Sequence, residues 1–323
     1  MNQILKYGSI SGIPLYNCSA QSSDEWSRLT GVRHPFIGSF DILYGLVINI
    51  LYVPILAFML LRDNFRMSYF KIMVFLGVVD MLSITVNSVI TGILSIQGAV
   101  YCTYPNFTYI TGMIILGLWC CSCFLSLLLV VNRLLDITKP EVAKFLFEGN
   151  RTFVVLSLPV LYGTFFILFT TPVGFSSKYV TWLFDPLIFE GMSHEYTNIP
   201  HGVNNVMMVA ITCVLYVALY YTLGDKLKAI GWDGNQSQNF SIQILVQSAM
   251  ICSINMVASI AFVVMNFIPF PIWLVIIAHK AWQFIHGAPV IIYLSLNKTI
   301  RKGFFERMGF EAESQVGNSS VIT

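Results

Sequence analysis

Three ionisable side chains interrupt long apolar runs: Asp80 in IMVFLGVVDML, Arg133 in VVNRLLDI and Lys280 in IIAHKAW. A lysine in such a place can form a Schiff base or act as counter-ion to an acidic ligand, or it can simply stretch to the nearest polar boundary. His279 and His286 are seven residues apart, about 10 Å along a helix, too far for a two-histidine metal pair without other ligands. His194-Glu195 opens HEYTN and lacks the second histidine of a zinc-protease pair. Neither a Walker loop, nor a dinucleotide glycine pattern, nor a paired-carboxylate constellation is evident. The chain reads as no enzyme, with no metal and no cofactor expected.

The elements that must position these groups follow from composition. Of 323 residues 56% are hydrophobic and only 11% charged, with a mean hydropathy of +0.73. A soluble protein carries about 25% charged residues. The net charge of +2 is too small to indicate a nucleic-acid partner. A bilayer core needs about 20 apolar residues per helix. Seven stretches meet that demand, at roughly 38–61, 69–95, 108–135, 152–172, 202–224, 240–267 and 272–296; they are numbered spans 1 to 7. The expected fold is an all-α membrane protein, a seven-transmembrane helix bundle (38–296). A polar N-terminal segment (1–37) precedes it, and a short amphipathic helix (297–310) and a disordered tail (311–323) follow. No basic n-region precedes an apolar core at the N-terminus, so a cleavable signal peptide is not expected. Placing the N-terminus outside leaves only Lys6, Arg28, Arg33 and Lys178 in the outer segments, with most lysines and arginines inside. That bias predicts an extracellular N-terminus and a cytoplasmic C-terminus at the plasma membrane.

Five cysteines, Cys120, Cys121, Cys123, Cys213 and Cys252, fall inside spans, where a thiol acts as a small apolar group. Only Cys18 and Cys102 fall on the oxidising side, and the 173–201 loop has none. By elimination an outer disulfide joins Cys18 to Cys102 over the top of span 3; the alternative is two free thiols. The outward sequons at Asn17 and Asn106 are the candidate glycan sites.

An acidic residue at the bilayer centre costs about 2.5–3.5 kcal/mol on insertion scales. Asp80, Asn49 and Ser122 fall at comparable depth, so the three are candidates for one hydrogen-bond network, whether a switch or a simple polar lock between helices. Arg133 reads either as an interfacial arginine among headgroups or as a latch at the inner helix ends, with Asn132 and Asp136 able to hold its guanidinium. Span 6 carries Gln243, Gln247, Asn255, Ser259 and Asn266 near helical spacing. Such a stripe faces the bundle interior. It is either interhelix glue, or its inner glutamines contact span 3 while Asn266 lines a pocket. In KTIRKGFFERMGF the residues Ile300, Phe304, Phe305 and Met308 share a face, as in a helix lying on the inner leaflet.

Asn49, Asp80, Arg133 and the run from Tyr293 to Arg301 resemble landmarks of rhodopsin-like G-protein-coupled receptors, in order and on the matching spans. YNCS, YFKIMVFLGVVD, GAVYCTYPNFTYITG, the Asn132-Arg133 pair and HGAPVIIYLSLNKTIR are similar to blocks of the nematode serpentine chemoreceptors of class T. The resemblance implies a chemosensory receptor of sensory neurons and their cilia, with an odorant-like small-molecule ligand and a heterotrimeric G protein as partners. It implies a ligand site in the outer half of the bundle, with Tyr109, Gly112, Met113 and Leu116 on one wall. Asn204, Met208, Asn266, Lys280 and Phe284 stand for the others. Activation and coupling roles fall on Asn49, Asp80, Ser122, Asn132, Arg133, Gln243, Gln247, Pro289 and Tyr293. The chain departs from the larger family: Asn132 stands where an acidic residue is usual, and span 6 has no tryptophan–proline pair. Pro289 also lies one residue further from Tyr293. These departures speak against a sodium site at Asp80, and the place of Lys280 speaks against light sensing. A transporter or channel, or an accessory membrane protein that does not signal, are the readings from other classes.

Overall fold

The structure, a computed structural model, describes residues 2–229, 236–265 and 271–309. The tail expected beyond 311 and Asn266 lie outside the described residues. Among the described residues, seven helices are long and apolar enough to cross a membrane: Pro35–Met59, Ser68–Gln97, Pro105–Thr138, Arg151–Phe169, Ile199–Thr222, Ile242–Met265 and Ile272–Leu296. Spans 5 and 6 belong to longer helices, Ile199–Ala229 and Gln236–Met265.

Span 3 is the axis of the bundle. Of its most apolar window 72% is buried, against 22% in span 5. Large apolar side chains such as Leu43, Ile50, Val214 and Val217 are instead exposed on the outer spans. An apolar exterior of this extent is stable against lipid and not against water. Spans 3 and 4 meet through Gly117 and Gly163, where a Cβ on either would lie under 3 Å from the other's carbonyl oxygen. Small residues let backbones approach closely where lipid gives no hydrophobic push.

Span 2 is not a regular α-helix throughout. Thr85–Ile90 form a π-helical turn. Such a turn disturbs the regular ladder and exposes backbone acceptors. The Asn87 carbonyl takes two donors from span 7, His279 Nε2 at 2.9 Å and Gln283 Nε2 at 2.8 Å.

A two-stranded antiparallel hairpin, β1 (Gly174–Ser176) and β2 (Thr181–Leu183), crosses one end of the bundle. Period-two alternation over three residues is too short to read from sequence, and no strand was expected there. The hairpin is anchored by Trp182 Nε1, which donates to Thr91 Oγ1 at 2.9 Å, and by Ser177 N, which donates to Ala99 O at 3.0 Å. Over it folds the N-terminal segment. Cys18 and Cys102 form a disulfide. Ser22 caps a short helix, Ser23–Thr30, in a reciprocal box with Glu25. Ile13, Tyr16 and Trp26 are buried with Tyr101, Tyr109 and Tyr196. Burial pushes the hydroxyls of Tyr16 and Tyr101 up, and that of Tyr196 to about 12. These three hydroxyls therefore stay protonated at any physiological pH.

At the opposite end, Asn297 Oδ1 accepts from Ile300 N at 3.0 Å and caps the helix Lys298–Arg307. Ile300 and Phe304 pack into the bundle, while Phe305 and Met308 are largely exposed.

Candidate functional site

Beneath the hairpin lies a cavity of about 220 Å³ between spans 3, 5, 6 and 7. Leu116 and Trp119 come from span 3, His201 from span 5, Phe262 and Met265 from span 6, and Val275, Ala278, His279 and Trp282 from span 7. Val173 and the segment Thr181 to Phe184 form the roof. Two histidines are fixed in place. His279 Nε2 faces the Asn87 carbonyl and so carries a proton, which leaves Nδ1 to accept from the Thr181 hydroxyl at 3.0 Å. His201 Nε2 lies 3.4 Å from Asn205 Nδ2.

The cavity floor touches a second feature. Trp119 and Trp282 contact the His286 ring, with centroids 6.1 and 6.4 Å apart. His286 Nδ1 donates to Asp80 Oδ1 at 2.7 Å, and Ser122 Oγ lies 3.4 Å from the same oxygen. The Tyr52 hydroxyl, 3.1 Å from Asp80 Oδ2 and 2.8 Å from the His286 carbonyl, ties span 1 to spans 2 and 7. Asp80 is thus at the crossing of four spans and fully enclosed.

The third feature lies at the end away from the lid. Arg133 Nη2 and Nε donate to Asn132 Oδ1 at 2.6 and 3.1 Å, and Nη2 is 3.4 Å from Ser68 Oγ. Asp136 pairs with the same guanidinium, which stacks over the Tyr69 ring at 4.4 Å. Such contacts clamp Arg133 to span 2 and to its own helix.

The expected residues divide. Ser122 joins the Asp80 network; Asn49 does not, since its Nδ2 donates to Thr85 Oγ1 at 3.2 Å on a half-buried face. Among the described residues of the expected ligand walls, only Leu116 lines the cavity. Tyr109 and Met113 belong to the lid cluster. Asn204 and Met208 face a different, apolar groove beside spans 3 and 4. Phe284 is 49% exposed and points to lipid. Lys280 is paired with the buried carboxylate of Asp41 on span 1, so it is not held ready for a ligand. Gln247 Oε1 accepts from Asn297 Nδ2 at 3.3 Å, and Gln243 is half-buried. Pro289 and Tyr293 are buried in the core, and Tyr293 packs in the cluster that holds Tyr52. Asn106 is exposed, whereas Asn17 is half-buried beside the disulfide.

Gly112 has a different task from the one expected. A Cβ there would stand 1.7 Å from the Val173 carbonyl oxygen, so this glycine lets the roof sit directly on span 3. Gly112→Ala is expected to cost about 1–3 kcal/mol, as overpacking against backbone does. Thermal inactivation in detergent checks it against Gly202→Ala, whose added methyl meets nothing within 4 Å. Equal behaviour of the two variants would remove the close-approach argument.

Asp41, Tyr52, His201 and Gln283 escaped the sequence reading, and His279 and His286 entered it only as a rejected metal pair. Its signal was present in part: 279, 283 and 286 have the i, i+4, i+7 spacing of one helical face. Weighing His279 and His286 only as a metal pair hid it.

The comparisons agree with this architecture. The family described as "Serpentine type 7TM GPCR chemoreceptor Srt" matches residues 3–316. The protein named "Serpentine receptor class T-55" of Caenorhabditis elegans is 29% identical over 316 residues, covering 95% of this chain and 86% of that relative. A seven-span bundle with a disulfide-tied lid, matched from end to end by one family, belongs to the serpentine seven-transmembrane chemoreceptors of class Srt.

Proposed function

We propose that this receptor binds a small molecule in the cavity beneath the hairpin and activates a heterotrimeric G protein from the end that holds Arg133. The lidded end faces outside in this reading, supported by the distribution of lysine and arginine and by the disulfide. Sensory cilia are the expected location. The observation that carries it is the contact between cavity and core. Trp119 and Trp282 form the floor of the cavity and the wall around His286, whose ring is bonded to Asp80.

A ligand shifts an equilibrium only by its differential affinity for two states. One that packs better when Trp119 and Trp282 are displaced biases the His286–Asp80 bond, and through it the relative placement of spans 1, 2, 3 and 7. Movement of span 3 against span 2 then frees Arg133 from Ser68 and Tyr69. Its guanidinium becomes available to a cytosolic partner.

The test is a ligand panel applied to cells carrying a promiscuous G protein. Ala278→Trp, which fills the cavity, is expected to abolish responses. Arg133→Ala is expected to reduce ligand-evoked signalling at least about tenfold at equal surface expression, the size of one charge-assisted hydrogen bond. Unchanged signalling in Arg133→Ala would remove that residue's role.

A further inference from the structure

We infer that the cavity takes a small, uncharged, planar molecule whose hydrogen-bond acceptor meets the Nδ1–H of His201; this rests on the reading of that cavity as the ligand site.

The walls set the shape of the guest. Trp119, Phe262 and Trp282 stand edge-to-face in sequence, with centroids 5.5 and 6.3 Å apart and planes 82° and 87° from one another. Phe184 and Phe262 flank the His201 ring at 5.1 and 6.2 Å. Flat aromatic walls favour a flat guest, which can stack on one ring and meet the next with its edge. About 220 Å³ is below the roughly 300–1,000 Å³ of pockets for drug-sized ligands, so a single ring with a short substituent is the natural size.

Charge is excluded by the lining. Among the described residues that line the cavity none is Asp, Glu, Lys or Arg. The nearby ammonium of Lys280 is matched by Asp41. An ion brought here would lose its water without gaining a counter-charge, at a cost of several kcal/mol.

The donor is fixed by a chain of amides. Trp119 Nε1 donates to Asn205 Oδ1 at 3.2 Å, and Asn204 Nδ2 donates to the same oxygen at 3.1 Å. Tyr162 in turn donates to Asn204 Oδ1 at 3.1 Å. Two N–H groups on one atom identify that atom as the oxygen, so the Asn205 amide cannot be turned over. Its Nδ2 therefore faces His201 Nε2, and an amide N–H only donates. Nε2 accepts, and the neutral imidazole carries its proton on Nδ1. His279 offers nothing comparable, since both its nitrogens are engaged, and Trp182 is held by Thr91. The Trp282 indole N–H is buried without a partner, but it is enclosed and not open to the cavity. The His201 Nδ1–H, in a residue that lines the cavity, calls for an acceptor on the guest.

The test uses the full-length receptor in lipid nanodiscs, with ligand-observed NMR titration and empty nanodiscs as the blank. Acetophenone supplies a ring and a carbonyl acceptor; isopropylbenzene has nearly the same outline and no acceptor. Acetophenone is expected to bind saturably, roughly three- to tenfold tighter than isopropylbenzene, the ratio of one neutral hydrogen bond. His201→Phe is expected to bring acetophenone down to the level of isopropylbenzene while leaving isopropylbenzene bound, which also shows that the variant is folded. Benzoate and benzylammonium are expected not to bind. Equal affinity of the two neutral probes, or a preference that survives His201→Phe, overturns the hydrogen-bond assignment even when Ala278→Trp blocks both probes and so upholds the cavity as the ligand site. Binding of either ion as tightly as acetophenone overturns the exclusion of charge. Absence of saturable binding by both neutral probes, or binding that Ala278→Trp leaves intact, overturns this inference and the ligand-site reading together.

Discussion

Replacing His286 with leucine is expected to destabilise the receptor by about 3–5 kcal/mol, because it leaves the buried Asp80 carboxyl without its closest partner. Ser122 at 3.4 Å is a weak substitute, and the Tyr52 hydroxyl divides its single proton between Asp80 and the His286 carbonyl. Removing both members of the pair, as in Asp80→Asn with His286→Leu, is expected to recover a large part of that loss. An amide and an alkyl chain in the same space carry no unpaired charge. The measurement is a double-variant cycle on thermal or denaturant unfolding in detergent. Losses that simply add would show that the two side chains do not act as a pair, since contacting residues couple by about 0.5–3 kcal/mol. The same variants separate stability from signalling. Should the double variant fold well yet ignore ligand, the pair carries information from the cavity as well as holding the helices.

The disulfide gives the second large effect. Cys18 and Cys102 are 84 residues apart in sequence, and closing a loop of that length removes about 4.5 kcal/mol of unfolded-chain entropy in the simplest treatment. Measured losses on removing a native disulfide are about 2–5 kcal/mol. The covalent link ends beside Tyr16, Trp26 and Tyr101, whose packing it holds over the hairpin. Cys18→Ser, Cys102→Ser and the double variant are expected to lose surface expression to the same extent, because each destroys one and the same bond. Expression that falls further in the double variant than in either single one would mean that the cysteines contribute separately.

Much of this architecture was open to reading from the residues in order. Apolar length must match a bilayer, so the seven spans followed from composition and punctuation. Residue counting also narrowed the disulfide to Cys18 and Cys102, since the other thiols lie within spans. Asp80 and Arg133 declared themselves because ionised groups are costly in lipid. What each would touch was another matter. Asn49 and Ser122 lie at comparable depth, yet only Ser122 is turned toward Asp80.

Depth along a helix is written in one dimension; rotation about its axis relative to six neighbours is not. A change of one residue swings a side chain by about 100°, enough to carry it from the bundle interior to lipid. Phe284 and His286 show the consequence, two positions apart, one facing lipid and the other bonded to Asp80. Lys280 found Asp41 239 residues away, a pairing that depends on span 1 lying against span 7. The cavity required the roof as well as the bundle: only once Gly112 admits Val173 against span 3 do the aromatic rings of four spans enclose one space. The sequence determined that the chain would fold in lipid, how many times it would cross, and which polar groups the interior would have to accommodate. Which of them meet, and what shape is left between them, was decided by tertiary packing, because hydrogen bonds and close contacts act over a few ångströms between side chains that the chain's order leaves far apart.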